Sequence, residues 1–378
     1  MIAPSDFYAA LAEAGVTFMT GVPDSLLKEF CAYVDAALPP SQHVIAANEG
    51  AAVGIAAGFH LATGDLPVVY MQNSGLGNAV NPVLSLSDTA VYAIPMILVV
   101  GWRGEPGVKD EPQHVKQGAV TPAMLEAMGI PYRVLSGEPA EAMEIAKWAA
   151  SEATSTSGPV CILVRKGAFD KSSQKRPAAT SASNMLAREA AIAKITGALP
   201  TDATVVATTG MISRELYEQR VAQDQDRSSD FLTVGSMGHA SQIALGISIG
   251  KPDARVVCID GDGAALMHMG SLAITGTNKD ANILHVLLNN GVHDSVGGQP
   301  TVGFEASFTD VARACGYPVV EGPLVDETEI TEAVERLAAM TGPRFLEVRV
   351  KPGSRADLGR PKETPAENKA IFVKRLRG

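Results

Sequence analysis

The sequence predicts an α/β protein of two similar domains, each a mainly parallel sheet flanked by helices. Three observations lead there. The 378 residues exceed what one ordinary core packs. Short β-branched runs alternate with longer helical patterns, which implies parallel strands joined by crossover helices. The same order of elements occurs twice, as expected of an internal duplication.

In the first half, a small-residue segment from Asn48-Glu49-Gly50-Ala51-Ala52 through Gly58 precedes the apolar run Val68-Val69-Tyr70. A glycine-rich loop with Gly75 and Gly77 follows, then the run Ile97 to Gly101. Residues 171–187 lose apolar periodicity and are rich in Ser, Ala and charge, the composition of a linker. In the second half, Gly235 to Gly246 precedes Val256-Val257-Cys258-Ile259, and then come Gly261, Gly263 and the run Ile283 to Leu288. Gly75 and Gly77 lie 186 positions before Gly261 and Gly263, and Val68 lies 188 before Val256. The expected domains are therefore 1–170 and 188–378, with 171–187 between them. Ligands of such sheets sit beyond the carboxyl ends of the strands, where both glycine loops fall.

Composition narrows the function. Hydrophobic residues make up 46% and charged ones 19%, the profile of a packed enzyme and not of a disordered chain. A net charge of −10 argues against a nucleic-acid or anionic-membrane partner, so an anionic substrate must be met by local cations. Cys31, Cys161, Cys258 and Cys315 are widely spaced, which indicates reduced core thiols and neither a disulfide framework nor structural zinc. The N-terminus lacks a basic leader pattern, and the stretch Ala90 to Gly101 is short and interrupted by Pro95. A cytoplasmic location is expected.

The chemistry concentrates in two strand-end loops. Gly261-Asp262-Gly263 is expected to follow a strand Arg255 to Ile259, and Asn289-Asn290 to follow Ile283 to Leu288, so both loops open at one sheet edge. The glycines let a backbone approach a phosphate, while Asp262 and the Asn290 amide offer the hard oxygen ligands that magnesium prefers. A metal-bridged diphosphate is the natural guest.

Gly261-Asp262-Gly263 followed by Asn289-Asn290 resembles the signature of the thiamine-diphosphate enzymes, and the likeness covers nearly the whole chain. The resemblance implies thiamine diphosphate and Mg2+ as cofactors, with Asp262, Asn290 and the main-chain carbonyl of Val292 as metal ligands. It also implies that Gly235-Ser236-Met237-Gly238 cradles the aminopyrimidine, with Met237 holding the cofactor bent. Glu49, within Ala46 to Ala52, matches the family's glutamate, which would share a proton with the aminopyrimidine. A lone carboxylate among Ala and Gly has few local partners, and without the second half a helix-start glutamate would be the plainer reading.

The absence of a middle domain resembles the phosphonopyruvate and sulfopyruvate decarboxylase families. The stretches Gly21 to Lys28, Met71 to Asn78, Gly101 to Gly107, Asp110 to His114, Asn290 to Gln299 and Gly353 to Pro361 favour the former. That likeness implies non-oxidative decarboxylation of a small anionic 2-oxo acid, with phosphonoacetaldehyde as product. It also implies a homodimer or higher oligomer with sites at the subunit interface. Asp24, Ser25, Arg103, His114, His239, His293, Arg355 and Arg360 are the candidate substrate residues; guanidinium suits bidentate oxyanion contacts, and histidine donates hydrogen bonds or shuttles protons. A sulfopyruvate decarboxylase, a carboligase and a non-catalytic cofactor-binding subunit are the rival readings.

Overall fold

The first half folds into six parallel strands, the two expected apolar runs among them. The computed structural model describes residues 1–171 and 184–378, and the chain divides into two units, Met1–Pro177 and Ala178–Gly378. In the first unit the strands are β1 (Val16–Gly21), β2 (His43–Ile45), β3 (Leu66–Gln72), β4 (Met96–Gly101), β5 (Tyr132–Leu135) and β6 (Pro159–Val164), in the order β2-β1-β3-β4-β6-β5. Alternate side chains leave opposite faces of a strand. Val68, Tyr70, Ile97, Val99, Val160 and Ile162 accordingly enter one buried cluster. Val69, Met71, Leu98, Val100, Cys161 and Leu163 enter another. Both faces are covered, which is why these runs are apolar throughout instead of alternating with polar residues.

The second unit contains β7 (Leu186–Ala187), β8 (Thr204–Ala207), β9 (Asp230–Leu232), β10 (Val256–Gly261), β11 (Ile283–Asn289), an antiparallel hairpin of β12 (Val292–His293) and β13 (Gln299–Pro300), β14 (Val319–Leu324) and β15 (Arg344–Lys351). Its main sheet runs β14-β15-β11-β10-β8-β9, with β7 on β15. Read from the other edge, β9-β8-β10-β11-β15-β14 repeats the connectivity of the first sheet. The duplication inferred from the sequence is thus present in the topology.

Two boundaries differ from expectation. Residues 172–183 of the expected linker lie outside the described residues. Its last two, Leu186 and Ala187, are strand, because they pair with Val350 and Lys351 of β15. The strand expected to stop at Ile259 runs on to Gly261, which pairs with Leu288, so Asp262 opens the helix Asp262–Met267 directly. Asn289 likewise closes β11 instead of following it.

Tyr70 lies over Gly21, where a Cβ would meet its ring, and its hydroxyl is 2.8 Å from His43 Nε2. Burial pushes the His43 imidazole down to about 4. Its ordinary value is about 6.5, so its contribution to stability is present above that pH and is lost as pH falls through 4, about 3 kcal/mol in all. His43→Gln should flatten the loss of unfolding free energy between pH 7 and pH 4, as read by denaturant melts. Equal losses in variant and parent would place the acid sensitivity elsewhere.

All four cysteines are free, Cys31, Cys161 and Cys258 being buried. No helix among the described residues is long and apolar enough to cross a membrane.

Candidate active site

The sequence-nominated residues all follow the carboxyl ends of parallel strands, or, for Gly261, end one. Glu49 comes after β2 as the first residue of the helix Glu49–Thr63, whose N-cap Asn48 accepts a hydrogen bond from Ala51 N. The carboxylate is buried, which sets aside the reading of it as a solvated helix start. It is also not as isolated as its neighbours in sequence suggest, since Asn78 Nδ2 donates to Glu49 Oε2 at 2.8 Å. Gly75 closes the other side: a Cβ there would collide with Glu49 Oε1. The loop after β3 therefore fixes one oxygen and leaves room for the other.

A second cluster forms where β1 and β4 end. Asp24 is fully buried, accepts from Leu26 N at 3.0 Å and Leu27 N at 3.2 Å, and abuts Gly101, where a Cβ would collide with it. Burial pushes its carboxyl up to about 6, against the pull of Arg103 and the backbone N–H groups. Arg103 donates through Nε to Asp110 Oδ2 at 2.8 Å, through Nη2 to Asp110 Oδ1 and through Nη1 to Ser25 Oγ at 2.5 Å. Three of its five N–H groups are thereby committed. Burial raises the Asp110 carboxyl, but the Arg103 hydrogen bond and the N–H groups of Glu111 and Gly104 outweigh that and hold it well below the usual range. His114 is buried and pushed down by burial and by Arg103, and its Nδ1 meets no hydrogen-bond partner among the described residues. An acceptor oxygen from a ligand would satisfy it.

In the second unit, Asp262 is buried at the start of its helix, and desolvation pushes its carboxyl up to about 6. Thr301 Oγ1 donates to Asp262 Oδ2, and Asn290 N lies 3.5 Å from Oδ1. Gly303 must be glycine, since a Cβ would run into Asp262 and Asn289. Asn289 Nδ2 holds this turn by donating to Gly303 O at 2.5 Å and to Glu347 Oε1 at 2.9 Å. Asn290 Nδ2 donates to Asp294 Oδ2 at 2.7 Å, while its Oδ1 accepts from Val292 N at 3.2 Å. Val292 pairs with Pro300, which has no N–H to give, so the Val292 carbonyl receives no ladder bond from that partner. The His293 ring and the Met237 methyl converge on Gly263, where a Cβ would lie 2.8 Å and 3.5 Å from them. Gly235, with φ +73°, donates to Thr209 Oγ1 at 3.0 Å and begins the turn that carries Met237.

Three nominated substrate residues stand apart from these groupings. The Arg355 guanidinium is taken up by Glu189, Glu218 and Asp357. Arg360 is exposed. His239 is exposed too, with Nδ1 3.2 Å from Met237 O and its ring tilted at 52° to that of His268. Sequence reasoning missed Asn78, Asp110, Thr301 and Gly303 as site residues. The signal available was the density of Gly and polar residues in the stretches that contain or adjoin them.

The second-unit residues fit a divalent cation. A carboxylate is forced into burial with the Thr301 hydroxyl and the backbone N–H groups of Asn290, Asp262 and Gly263 for company, beside an amide oxygen and a main-chain carbonyl whose strand partner is a proline. An all-oxygen set of this kind suits Mg2+. Gly303 and Gly263 let Asp262, Asn289, His293 and Met237 close in on their backbones, so the side chains of this site pack tightly around the carboxylate.

Comparison with known proteins agrees with this geometry. Residues 3–125 match the family described as thiamine pyrophosphate enzyme, N-terminal TPP binding domain, and residues 208–348 match the corresponding C-terminal TPP binding domain. A phosphonopyruvate decarboxylase of Streptomyces viridochromogenes is 36% identical over 97% of this chain and 93% of its own length. One from Streptomyces hygroscopicus is 37% identical over 97% and 92%. A sulfopyruvate decarboxylase of Methanosarcina acetivorans is 28% identical over 91% and 90%. The chain belongs to the thiamine pyrophosphate enzyme family, with two thiamine-pyrophosphate-binding domains and no middle domain.

Proposed function

We propose that the chain decarboxylates 3-phosphonopyruvate without oxidation, a proton replacing CO2 at the keto carbon to give phosphonoacetaldehyde. The observation that carries this reading is the likeness to two phosphonopyruvate decarboxylases over nearly the whole chain, higher than the likeness to the sulfopyruvate enzyme. Bound thiamine diphosphate would supply the electron sink for the pair left by the departing carboxylate. Residues 1–170 would receive the pyrimidine and residues 188–378 the diphosphate. Asp262 and the Asn290 and Val292 oxygens would hold Mg2+, and Gly261 and Gly263 would admit the diphosphate. Gly235 and Met237 would shape the pyrimidine cradle. Glu49 would hold and return a proton at Oε1, the oxygen that Asn78 leaves available.

The substrate end has its support in the first-unit cluster. His114 Nδ1 and the uncommitted N–H groups of Arg103 are donors for carboxylate or phosphonate oxygens, with Asp24 and Ser25 beside them. His293, whose ring lies over Gly263, would donate near the diphosphate. His239, Arg355 and Arg360 are weaker candidates, being exposed or already paired. We further propose a homodimer or higher oligomer in the cytoplasm.

Initial rates of CO2 release on phosphonopyruvate, sulfopyruvate and pyruvate, with thiamine diphosphate and Mg2+, test the reading. Phosphonopyruvate should give the highest kcat/KM. Arg103→Ala should lower that value by about 1.5–3 kcal/mol of charged hydrogen bonding and leave pyruvate nearly unchanged. A preference for sulfopyruvate would contradict the proposal, and equal losses on pyruvate would assign Arg103 to the fold or to the shared carboxylate.

A further inference from the structure

Asn290 ends in a group whose oxygen and nitrogen exchange places on a half-turn, yet only the oxygen can bind a cation. Something must set its direction. Asp294, four residues on, accepts from Asn290 Nδ2 at 2.7 Å. An ionised carboxylate has no hydrogen to give, so Asn290 must turn its NH2 towards Asp294 and its oxygen away.

Asp294 is itself held from two other directions. Arg188 Nη1 donates to the same Oδ2 at 2.6 Å, and Gly353 N lies 3.0 Å from Oδ1. Arg188 is fixed in turn by a two-pronged pair with Glu215, Nε to Oε2 at 2.8 Å and Nη2 to Oε1 at 2.9 Å, with both side chains at most 4% exposed. Three stretches of chain thus converge on the Asp294 carboxylate, the loop after β11 through Asn290, the start of the helix Arg188–Ala198 and the turn after β15, while Glu215 of the helix Met211–Ala222 reaches it only through Arg188. Burying ions in this way is a poor route to stability, because desolvation offsets most of the attraction. A fixed acceptor aimed at the amide of a metal ligand is a use that repays it.

We propose that Asp294, braced by Arg188 and Glu215, is the positioning residue that presents the Asn290 oxygen to the metal. This rests on the assignment of Asn290 as a ligand. Outer partners of metal ligands commonly govern affinity by 10–100-fold.

The test is a double-mutant cycle on the full-length protein. Mg2+ is titrated calorimetrically with thiamine diphosphate at saturation, and melting temperatures are taken without either. Asp294→Ala should weaken Mg2+ binding ~10–100-fold in protein still folded at the titration temperature, even though loss of one partner of the buried Arg188 lowers the cofactor-free melting temperature. Asn290→Asp should have opposite signs in the two backgrounds. With Asp294 present it sets two carboxylates against each other and weakens binding. Combined with Asp294→Ala it offers the metal an oxygen in either orientation and recovers at least ~10-fold of the lost affinity, a rescue that a merely structural role would not give. Asp294→Asn, whose amide donates as well as accepts, serves the same cycle if the alanine variant does not fold. Wild-type affinity in Asp294→Ala, or no recovery in the double variant, would overturn the proposal. Asp262→Ala is the control: wild-type Mg2+ affinity there would instead remove the metal assignment on which the proposal rests.

Discussion

Asp262→Ala should leave a folded protein that no longer holds thiamine diphosphate in a magnesium-dependent way. Asp262 is the one carboxylate among the three proposed ligands, and Asn290 and Val292 bring only dipoles, so its removal takes away the site's negative charge. The affinity loss should exceed ~100-fold, the upper range for outer partners of a metal. Stability gives an independent readout. A ligand at 100 times its Kd stabilises the native state by about 2.7 kcal/mol, so wild type should melt higher with cofactor and Mg2+ and the variant should not. Equal ligand-induced shifts in the two proteins would sink the assignment.

Glu49→Gln should separate binding from chemistry. Glutamine keeps the shape, and its oxygen can still accept from Asn78 Nδ2, so the loop after β3 should stay in place. What disappears is the group that holds and returns a proton. With cofactor bound, exchange of the thiazolium C2 hydrogen with solvent should slow by ~100-fold or more, the usual worth of a positioned acid–base group. NMR after rapid acid quench measures it. An unchanged exchange rate would take Glu49 out of the mechanism, and lost cofactor binding would make its role one of structure.

Both sheets were legible because their central strands are buried on two faces and spell largely apolar runs, Val68 to Met71 and, broken only by His285, Ile283 to Leu288 among them. The repeated strand order was legible in the recurrence of glycines beyond those runs. Strand ends were less so: Gly261 and Asn289 read as turn residues, yet the ladder extends through them because their backbones still find partners on β11 and β15. Partners distant in sequence were the larger gap. Asn78 reaches Glu49 across 29 positions and Thr301 reaches Asp262 across 39, contacts set by which strands lie side by side. Cations are the other case. The sequence shows Arg103 and Arg355 as available charges, whereas the fold gives them to Asp110 and to Glu189, Glu218 and Asp357. Charge is a property of the residue, and its availability is a property of the neighbours.

Product formation tests the central claim most directly. Protein stripped of cofactor is supplied with phosphonopyruvate, and phosphorus NMR follows the reaction before and after addition of thiamine diphosphate and Mg2+. The expected result is a stable substrate signal until both are present, then stoichiometric conversion to phosphonoacetaldehyde with release of CO2. Consumption that ignores the cofactor, a carbon-ligated product in place of the aldehyde, or no reaction under conditions where sulfopyruvate is consumed would contradict it.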